Sequence, residues 1–327
     1  GMDYQYDVTY GFNGENGVWN RSPAIAQWLD GVLKPAMNNS LEAEGHIPGE
    51  LVFGVDEHNP KAGFSDGGLG ERFSNGWGAA AHVPTILIEN HSLKPHAQRV
   101  LGTYVFIETA MKLLADKGET LRTAIAADSA LRPAEIPANF VSDDKPAYMR
   151  AFKGIRYEYY DSPASGRKEV RWLGEADPEI WNVPFYGSKP SLTLKRPAAY
   201  YVPSYRADII DRLKLHGVIV ETLPAATTLK VEMIRLVDPK IATSANEGHV
   251  QISVDKVTTE TRDWTFPKGS VRVSTDQPLG DLVVLLLEPQ SNESLFAWGM
   301  VPEVLSRVEY IEPYAIAPLA EKMMAAD

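Results

Sequence analysis

The sequence predicts an α/β region followed by an α+β region that is mostly β. The first observation behind this prediction is the succession of a strand, a polar tip and a helix across residues 83–118. The second is a series of prolines in residues 133–150, where helical periodicity stops. The third is a run of short strand-like segments after that point. We therefore expect one domain in residues 1–132, a linker at 133–150 and a second domain in residues 151–327.

The composition limits the classes of partner. The 327 residues include 32 basic and 43 acidic side chains and carry a net charge of −11, so we expect neither nucleic acid nor a membrane surface as a partner. The absence of cysteine excludes disulfides and thiolate zinc sites. No apolar run approaches the ~18 residues of a membrane span, and the chain shows no signal-peptide pattern. The sequence thus predicts a soluble protein.

The first predicted helix begins after Ser22, which is the expected N-cap and precedes a proline at the first helical position. Apolar residues then recur on one face, and we expect this helix to end near Pro35. A buried strand is predicted at residues 51–55. The glycine-rich segment 63–78 lacks the third glycine of a dinucleotide fingerprint. It is interpreted either as a surface loop or as a loop that faces a substrate.

The strongest pattern is the unit around Glu89. Residues 83–88 form an apolar run that is typical of a buried strand, and polar residues follow it directly. Ser92 is the expected cap of a helix that runs to Gly118, and a further helix is expected at residues 119–131. Ligands of open α/β sheets collect at the carboxyl ends of strands, and this pattern places Glu89 at such an end.

The C-terminal region is predicted to be mainly β. Residues 152–161 and 168–173 form a predicted hairpin, and residues 207–216 form a helix that ends at Gly217. Further strands and two terminal helices complete the region. The strands are expected at residues 230–237, 250–257, 270–274 and 281–287, and the helices at 303–310 and 317–324.

Glu89 is the principal candidate for chemistry. A carboxylate directly after a buried strand meets solvent or a ligand, and this position suits a general base. The alternative is a structural role, in which Glu89 caps the following helix or pairs with Lys94 or Arg99. His91 either orients Glu89, contacts a ligand or makes a local hydrogen bond. Position alone leaves these interpretations open.

The sequence has none of the common zinc motifs. It contains neither His-x-x-Glu nor His-Glu-x-x-His, and its nearest groupings are His46 with Glu50 and the run Asp56-Glu57-His58. Zinc needs three or four convergent ligands. We therefore interpret these groupings as surface residues and expect no metal site made from this chain alone.

Motifs in the first third of the chain resemble one enzyme family. They are residues 72–77 (Arg-Phe-Ser-Asn-Gly-Trp), 84–95 (Pro-Thr-Ile-Leu-Ile-Glu-Asn-His-Ser-Leu-Lys-Pro) and 98–100 (Gln-Arg-Val). Together they resemble the C-terminal half of the carboxypeptidase A-like zinc metallocarboxypeptidase domain. Residues 3–7 (Asp-Tyr-Gln-Tyr-Asp) resemble the stretch just beyond the third zinc-binding histidine of those relatives.

The second half of the chain resembles the accessory region of long bacterial members of that family. The matching segments are residues 202–203 (Val-Pro), 212–217 (Arg-Leu-Lys-Leu-His-Gly) and 288–299 (Glu-Pro-Gln-Ser-Asn-Glu-Ser-Leu-Phe-Ala-Trp-Gly). The resemblance thus covers nearly the whole chain. It implies a partial carboxypeptidase-like mixed sheet with flanking helices, followed by a mostly β accessory domain.

The resemblance implies a zinc-dependent carboxypeptidase that acts on the C-terminal residues of a peptide substrate. Glu89 falls on the family's general base, which takes a proton from zinc-bound water and passes it to the leaving amine. Arg72, Trp77 and His91 are implied to contact the substrate. Trp77 stands where relatives have a tyrosine, so a phenolic hydroxyl is lost and an aromatic face remains.

The resemblance also implies that the zinc ligands and the arginines for the substrate carboxylate lie upstream of this chain. We therefore expect zinc in the full-length protein, none in this chain, and no activity from this chain alone. The alternative is a non-catalytic peptide- or glycan-binding homologue. An incomplete sheet exposes an edge, which favours self-association. Relatives are often exported, so the resemblance implies a periplasmic or secreted protein.

Overall fold

The computed structural model of the chain describes residues 2–15, 21–65, 70–306 and 312–326. Helices and strands are interspersed up to residue 130, and strands predominate after it. The helices are α1 (Pro23–Trp28), α2 (Lys34–Ala43), α3 (Ser74–Ala81), α4 (His96–Ser129), α5 (Ala207–Leu215), α6 (Gly280–Leu287) and α7 (Pro313–Met324).

The strands before residue 130 have five residues or fewer, whereas several later strands have eight or more. They are β1 (Val8–Phe12), β2 (Pro48–Glu50), β3 (Phe53–Gly54), β4 (Phe64–Ser65), β5 (Ile86–Asn90), β6 (Glu135–Ser142), β7 (Tyr148–Ile155), β8 (Tyr157–Asp161), β9 (Lys168–Trp172), β10 (Pro178–Tyr186), β11 (Ser188–Lys195), β12 (Ala199–Val202), β13 (Glu221–Thr222), β14 (Thr227–Val237), β15 (Lys240–Ile241), β16 (Ile252–Ser253), β17 (Lys256–Phe266) and β18 (Val271–Ser274).

Glu89 belongs to a small mixed sheet with the strand order β2-β1-β5. β1 pairs in parallel with β2 and antiparallel with β5, and this register places Thr9 opposite Glu89. Helices α1, α2 and α4 bury their apolar side chains against those of β1. This N-terminal core consists of Val8, Tyr10, Phe12, Ile25, Trp28, Leu29, Leu33, Met37, Leu41, Phe106 and Leu121.

Two further cores combine residues from both predicted domains. In the first, at the sheet β3-β4-β10-β7, Phe152 and Trp181 stack with ring centroids 5.6 Å apart, and Tyr6 and Phe64 pack beside them. In the larger core, α6 packs against residues of β6, β11, β12, β18 and α5. Ala80 of α3 is also part of this core. The two halves of the chain are therefore joined by shared apolar burial.

The first predicted helix does not end at Pro35. It continues as a π-helical turn, Leu29–Leu33, and then as α2. The Lys34 N–H bonds to the carbonyl of Leu29, five residues earlier, as in a π-helix. Pro35 has no N–H to satisfy, so after this wider turn it begins a new α-helical segment as a proline does at a helix N-terminus. The predicted stop is therefore wrong.

α4 joins the two helices that are predicted on either side of Gly118. The helix runs unbroken to Ser129, so Gly118 lies in its interior and not at a C-cap. A glycine inside a helix costs about 1 kcal/mol relative to alanine. Packing of α4 against α1 and α2 outweighs that cost, because tertiary burial supplies most helical stability.

Residues 281–287 form a helix, α6, and not the predicted strand. A short aliphatic run does not distinguish a buried strand from a buried helix, because both are apolar on every side. Here Asp281 lies in the first helical turn and pairs with Arg196. The helix is buried from Gly280 to Leu286.

The predicted linker is structured. Residues 133–150 contain β6 and the beginning of β7, and Ile136 and Ala138 of β6 are buried in the largest core. The glycine-rich segment 63–78 likewise contains β4 and the beginning of α3, while its residues 66–69 lie outside the described residues. The division into two domains, and a carboxypeptidase-like arrangement of them, stay predictions.

Several predicted elements are confirmed. They include the strand before His91, the β8-β9 hairpin, β14, β18 and α5, which Gly217 follows at φ +86°. The predicted strand at 250–257 is divided between β16 and β17. The predicted helix at 303–310 begins within a 3₁₀ turn at Pro302–Leu305, and its residues 307–310 lie outside the described part of the chain. The last helix, α7, begins before its predicted start at residue 317.

Candidate functional site

Glu89 lies at the carboxyl end of β5 with its side chain exposed to solvent. The Thr9 hydroxyl of β1 donates to the Glu89 backbone carbonyl at 2.8 Å, which fixes the main chain beneath the carboxylate. β5 is an edge strand of its three-stranded sheet. The reason is that, among the described strands, β1 pairs with β2 on one side and β5 on the other, and none pairs with β5 beyond that.

A buried cluster of polar side chains lies directly beside this strand end. His91 Nε2 is 3.0 Å from a carboxylate oxygen of Asp3, and the Leu93 N–H approaches His91 Nδ1 at 3.3 Å. The Tyr4 ring packs on the imidazole with centroids 4.2 Å apart. The Tyr4 backbone N–H also approaches His91 Nε2, at 3.3 Å, so it competes with the Asp3 carboxylate for this nitrogen, while Nδ1 accepts from the Leu93 N–H.

Burial lowers the pKa of His91 below its usual range; the Asp3 carboxylate opposes this effect and the Lys94 ammonium reinforces it. Burial raises the pKa of the Tyr4 phenol; the hydrogen bond with Thr9 opposes this, and the carboxylates of Glu89 and Asp3 add to it. His91 is therefore held neutral at pH 7. It acts as a hydrogen-bonding support for the segment that carries Glu89.

A second buried pair anchors the same end of this segment. Asp7 accepts hydrogen bonds from His46 Nδ1 at 2.6 Å, from the Gln98 amide at 2.8 Å and from the Ile47 N–H at 2.7 Å. Burial raises the pKa of Asp7, but these hydrogen bonds outweigh it and lower the pKa. The His91 N–H donates to the Asp7 carbonyl at 3.1 Å, so this pair also holds the residues just after β5.

The cations that the sequence offers as partners of Glu89 are engaged elsewhere. Lys94 Nζ lies 2.6 Å from a Glu175 carboxylate oxygen, and Arg99 Nε donates to the Lys94 carbonyl at 3.1 Å. Neither contact involves the carboxylate of Glu89. Its solvent-facing position therefore suits proton exchange with water or a ligand better than a structural ion pair.

Arg72 and Trp77 lie together in a different part of the molecule. Both line a cavity of about 730 Å³ between α3, α5 and the loop after α6. The Arg72 guanidinium lies 4.1 Å from the ring centroid of Phe73 and 5.3 Å from that of Trp298. It also pairs with Glu247 at 2.8 Å and lies 3.6 Å from Glu293.

Trp77 is held by the C-terminal half of the chain. Its indole N–H donates to His216 Nδ1 at 3.0 Å, and burial lowers the pKa of that histidine below its usual range. Glu89 and His91 are not among the residues that line the cavity of Arg72 and Trp77. The structure therefore does not bring Glu89 and His91 to this cavity, since α3 packs into the core around α6 and β5 belongs to the N-terminal sheet.

The sequence did not single out the other side chains that surround Arg72. Trp298 and Glu293 lie in the segment 288–299, which resembles the accessory region of the long relatives. The sequence assigns neither residue a role. Their contacts with Arg72 bridge more than 200 positions of the chain, and Glu247 lies 175 positions from Arg72. Pairing over such separations has no periodic signal in the sequence.

Zinc does not fit the described residues. Across residues 2–15, 21–65, 70–306 and 312–326, no group of three or more His, Asp or Glu side chains converges as a metal would require. The histidines lie apart, each beside a different partner. The nearest polar neighbours are Asp7 for His46, Glu169 for His58, Ser22 for His82 and Asp3 for His91.

Comparison with known proteins places a third of the chain among carboxypeptidase-related sequences. It is 32% identical to "Carboxypeptidase 2" of Trichophyton rubrum over 115 residues, which are 35% of this chain and 21% of that protein. The corresponding protein of Trichophyton tonsurans is 32% identical over 111 residues, or 34% of this chain and 20% of the relative. A "Probable carboxypeptidase 2" of Arthroderma benhamiae is 32% identical over 104 residues, or 32% and 20%. The match thus spans about a fifth of these relatives' length.

Two other comparisons give no match. No protein-family profile fits the chain, and no solved structure is similar to it at a significant level. In the described part of the chain, no helix combines the length and the apolar character needed to cross a bilayer.

Proposed function

We propose that this carboxypeptidase-related chain carries the general base of a zinc-dependent metallocarboxypeptidase, an enzyme that removes C-terminal residues from peptides. The proposal includes the long architecture with an accessory C-terminal region. The observation that carries it is the position of Glu89, an exposed carboxylate at the end of β5 on a rigidly held main chain. The carboxypeptidase names of the relatives, which match a third of the chain, support the reaction class.

Glu89 would act by moving one proton. In the hydrolysis of a C-terminal peptide bond, a carboxylate takes a proton from the attacking water and gives it to the leaving amine. Such a base must reach solvent while its backbone stays fixed. Thr9 and the Asp3–His91 pair provide the fixed backbone, and the exposed side chain provides the access.

In such an enzyme, zinc supplies an acidified water and a polarised carbonyl. Because the described residues do not converge as a zinc site, we propose that its ligands come from residues other than these. This chain alone is then catalytically incomplete. What the chain contributes is the carboxylate of Glu89 and its hydrogen-bonded support.

The alternative is a non-catalytic protein that binds peptides or glycans. The observation that favours it is the cavity around Arg72 and Trp77, which is built without any contribution from Glu89. A binding protein needs this cavity and no base, whereas an enzyme needs Glu89.

The reaction class is tested on the protein as its source organism makes it. We expect it to release single C-terminal residues from a peptide with a free carboxylate, to leave the C-terminal amide of the same peptide intact, and to contain zinc. Mass spectrometry follows release and elemental analysis measures the metal. A source protein that has no zinc and no activity would favour the binding protein.

The isolated 327-residue chain is the matched control. After dialysis it should hold no stoichiometric zinc and release no residues. Stoichiometric zinc on this chain, lost on replacing His46 or His91, would contradict the assignment of the metal ligands to other residues.

A further inference from the structure

The two longest strands of the described chain, β14 and β17, form a ribbon that no third described strand joins. Each has 11 residues, and they pair antiparallel without a shift in register. Among the described strands, none pairs with the outer edge of either one. A two-stranded ribbon is only marginally stable in water, and further strands stabilise it. The ribbon therefore has two edges that can accept another strand.

The middle of β17 is open to solvent on both faces. Residues 258–261 are all exposed, and successive side chains of a strand alternate between its faces. Neither face is therefore covered at this point. Natural proteins often protect an edge strand with a proline or a bulge, and β17 has neither. Its edge is accessible to the backbone of another chain.

Opposite charges lie two positions apart at this open middle, in the run Glu260-Thr261-Arg262. Glu260 is paired within the ribbon, with Arg235 of β14 at 2.8 Å. The Arg262 guanidinium lies 4.9 Å from the ring centroid of Trp264 and forms no ion pair with a carboxylate of the described residues. Arg262 thus offers a cation to a neighbouring strand.

A two-fold axis limits the ways in which two copies of one strand can pair. The axis that makes identical strands antiparallel stands perpendicular to the sheet, so each side chain stays on its own face. Side chains alternate between the faces along a strand, and directly opposed residues share a face. Opposed residues are therefore an even number of positions apart, and each such arrangement places one residue opposite its own copy.

The charges of β17 select one of these arrangements. With Thr261 opposite its own copy, the strands are centred on each other and Glu260 of each copy faces Arg262 of the other. The adjacent arrangements place Glu260 or Arg262 opposite itself, and the next ones oppose Lys256 to Arg262 or Asp263 to itself. Like charges in direct opposition are destabilising. Arrangements farther from the middle overlap over less than half of the strand.

β14 is less suited to pairing with its own copy. With its middle residue, Glu232, opposite itself, two carboxylates meet. With Val231 opposite itself, Lys230 faces Glu232, but the last two residues of the strand have no partner. The middle of β14 is also less open, because Met233 and Ile234 are half-buried.

We propose that two copies of this chain associate through β17, antiparallel about Thr261, and form a four-stranded sheet with the order β14-β17-β17-β14. Besides the two pairs of Glu260 with Arg262, this register opposes Thr258 to Trp264, a β-branched and an aromatic side chain that stabilise a sheet when paired. One strand from each copy forms the contact, so the dimer is weak and depends on concentration. The proposal involves neither Glu89 nor β5 and stands whether or not the chain belongs to an enzyme.

The chain has no cysteine, so one introduced thiol reports the register. Thr261 lies opposite its own copy, where the Cα atoms of antiparallel strands are about 4.5–5.5 Å apart, within the span of a disulfide. Thr261→Cys should therefore form a disulfide-linked dimer under mild oxidation. Thr259→Cys, on the same face, is the matched control. Its two thiols would lie four positions out of register, about 13 Å apart, and should link at least tenfold more slowly.

Charge variants test the pairing of Glu260 with Arg262. Adding Arg262→Glu to Thr261→Cys opposes carboxylates, and adding Glu260→Lys to it opposes cations, so each double variant alone should link at least tenfold more slowly. An equal mixture of the two should recover the rate as a mixed dimer, which mass spectrometry identifies. In the mixed dimer each opposed pair again joins a carboxylate to a cation.

Two controls make the rates comparable. The reaction of each thiol with a small-molecule disulfide corrects for its own reactivity, which neighbouring charges alter. Thermal unfolding midpoints confirm that each variant is folded.

Four results would overturn the proposal. The first is the absence of a linked dimer of Thr261→Cys even at millimolar chain, and the second is an equal rate for Thr259→Cys. The third is a mixture of the charge variants that links no faster than either alone. The fourth is faster linkage of Val231→Cys, which would assign the contact to β14.

Discussion

At the scale of single residues, the end of β5 combines one exposed carboxylate with buried polar side chains that bind one another. Glu89 faces solvent, whereas Asp3 and His91 share a contact of 3.0 Å in the interior. The sequence alone singles out Glu89 and His91, because they follow an apolar run. It does not reveal Asp3, whose position depends on how the N-terminal segment crosses the sheet.

The Asp3–His91 contact predicts how the imidazole titrates. Replacing Asp3 with asparagine removes the carboxylate that favours the charged imidazole, so Asp3→Asn should lower the pKa of His91 further. Lys94→Met should raise it, since the ammonium disfavours the charged form. The His91 Hε1 shift in an NMR pH titration measures both. Changes of the opposite sign would contradict the described contacts.

At the scale of elements, sequence patterns predict the hairpin, α5 and β5, whose signals are local: alternation, a helix face and a closing glycine. Sequence patterns fail where tertiary packing determines the type or the length of an element. α6 is an aliphatic run that a core accommodates as a helix, and α4 continues through Gly118 because α1 and α2 cover it. The segments that pack against α6 and α4 lie far away in the sequence, so a local pattern does not reveal them. The cavity of Arg72 and Trp77 likewise escapes prediction, because segments from distant parts of the chain line it.

Gly118 gives a test of the element scale. A Cβ added there meets only an Arg122 side-chain atom at 3.9 Å, so Gly118→Ala should stabilise the protein by about 0.5–1 kcal/mol. Gly154→Ala is the matched control, because its Cβ would overlap the indole of buried Trp181 and should destabilise by about 1–3 kcal/mol. Urea unfolding measures both. Destabilisation by Gly118→Ala would show that α4 breaks at this glycine.

At the scale of the whole molecule, two cores connect the two halves, and the cavity of Arg72 and Trp77 is lined both by α3 from the N-terminal half and by residues of the C-terminal half. The candidate base and the cavity of Arg72 and Trp77 are therefore separate features of one connected structure. β5 has a free edge among the described strands, and α4 carries an exposed apolar stripe. The exposed side chains of that stripe are Val100, Tyr104, Ile107, Met111 and Leu114.

Self-association, which the sequence predicts for an open sheet edge, stays a prediction. Sedimentation velocity at increasing chain concentration should show a rising average mass, because an exposed apolar stripe and an unpaired strand edge each favour association. Met111→Lys, which places a charge in the stripe, should reduce it. A strictly monomeric chain at all concentrations would contradict the expectation.

The stability of the protein should depend on His82. Burial lowers the pKa of this histidine, although the Asp281 and Asp128 carboxylates oppose the effect. The unfolded chain then binds the proton more readily than the folded one. The contribution of His82 to stability is therefore present above about pH 6.5, the unfolded pKa, and is lost as the pH falls through the folded pKa.

His82→Asn isolates this contribution. Asparagine tolerates the left-handed backbone at φ +57° but does not titrate in this range. Buried acids such as Glu15, whose pKa burial raises to about 7, act in the opposite direction but are common to both proteins. Urea unfolding at pH 7.5 and 5.5 should show a smaller loss of stability on acidification in the variant. An equal or larger loss would contradict the assignment of this proton uptake to His82.

The most direct measurement of the central proposal compares two glutamine variants of the protein as its source organism makes it. Glu89→Gln should lower kcat for release of a C-terminal residue by about 10²–10⁴-fold, because the amide keeps the shape of the side chain but accepts no proton. Glu232→Gln, at an exposed position of β14, should keep the kcat of the unaltered protein. Full activity of Glu89→Gln, with zinc still bound, would contradict the account of Glu89 as the general base.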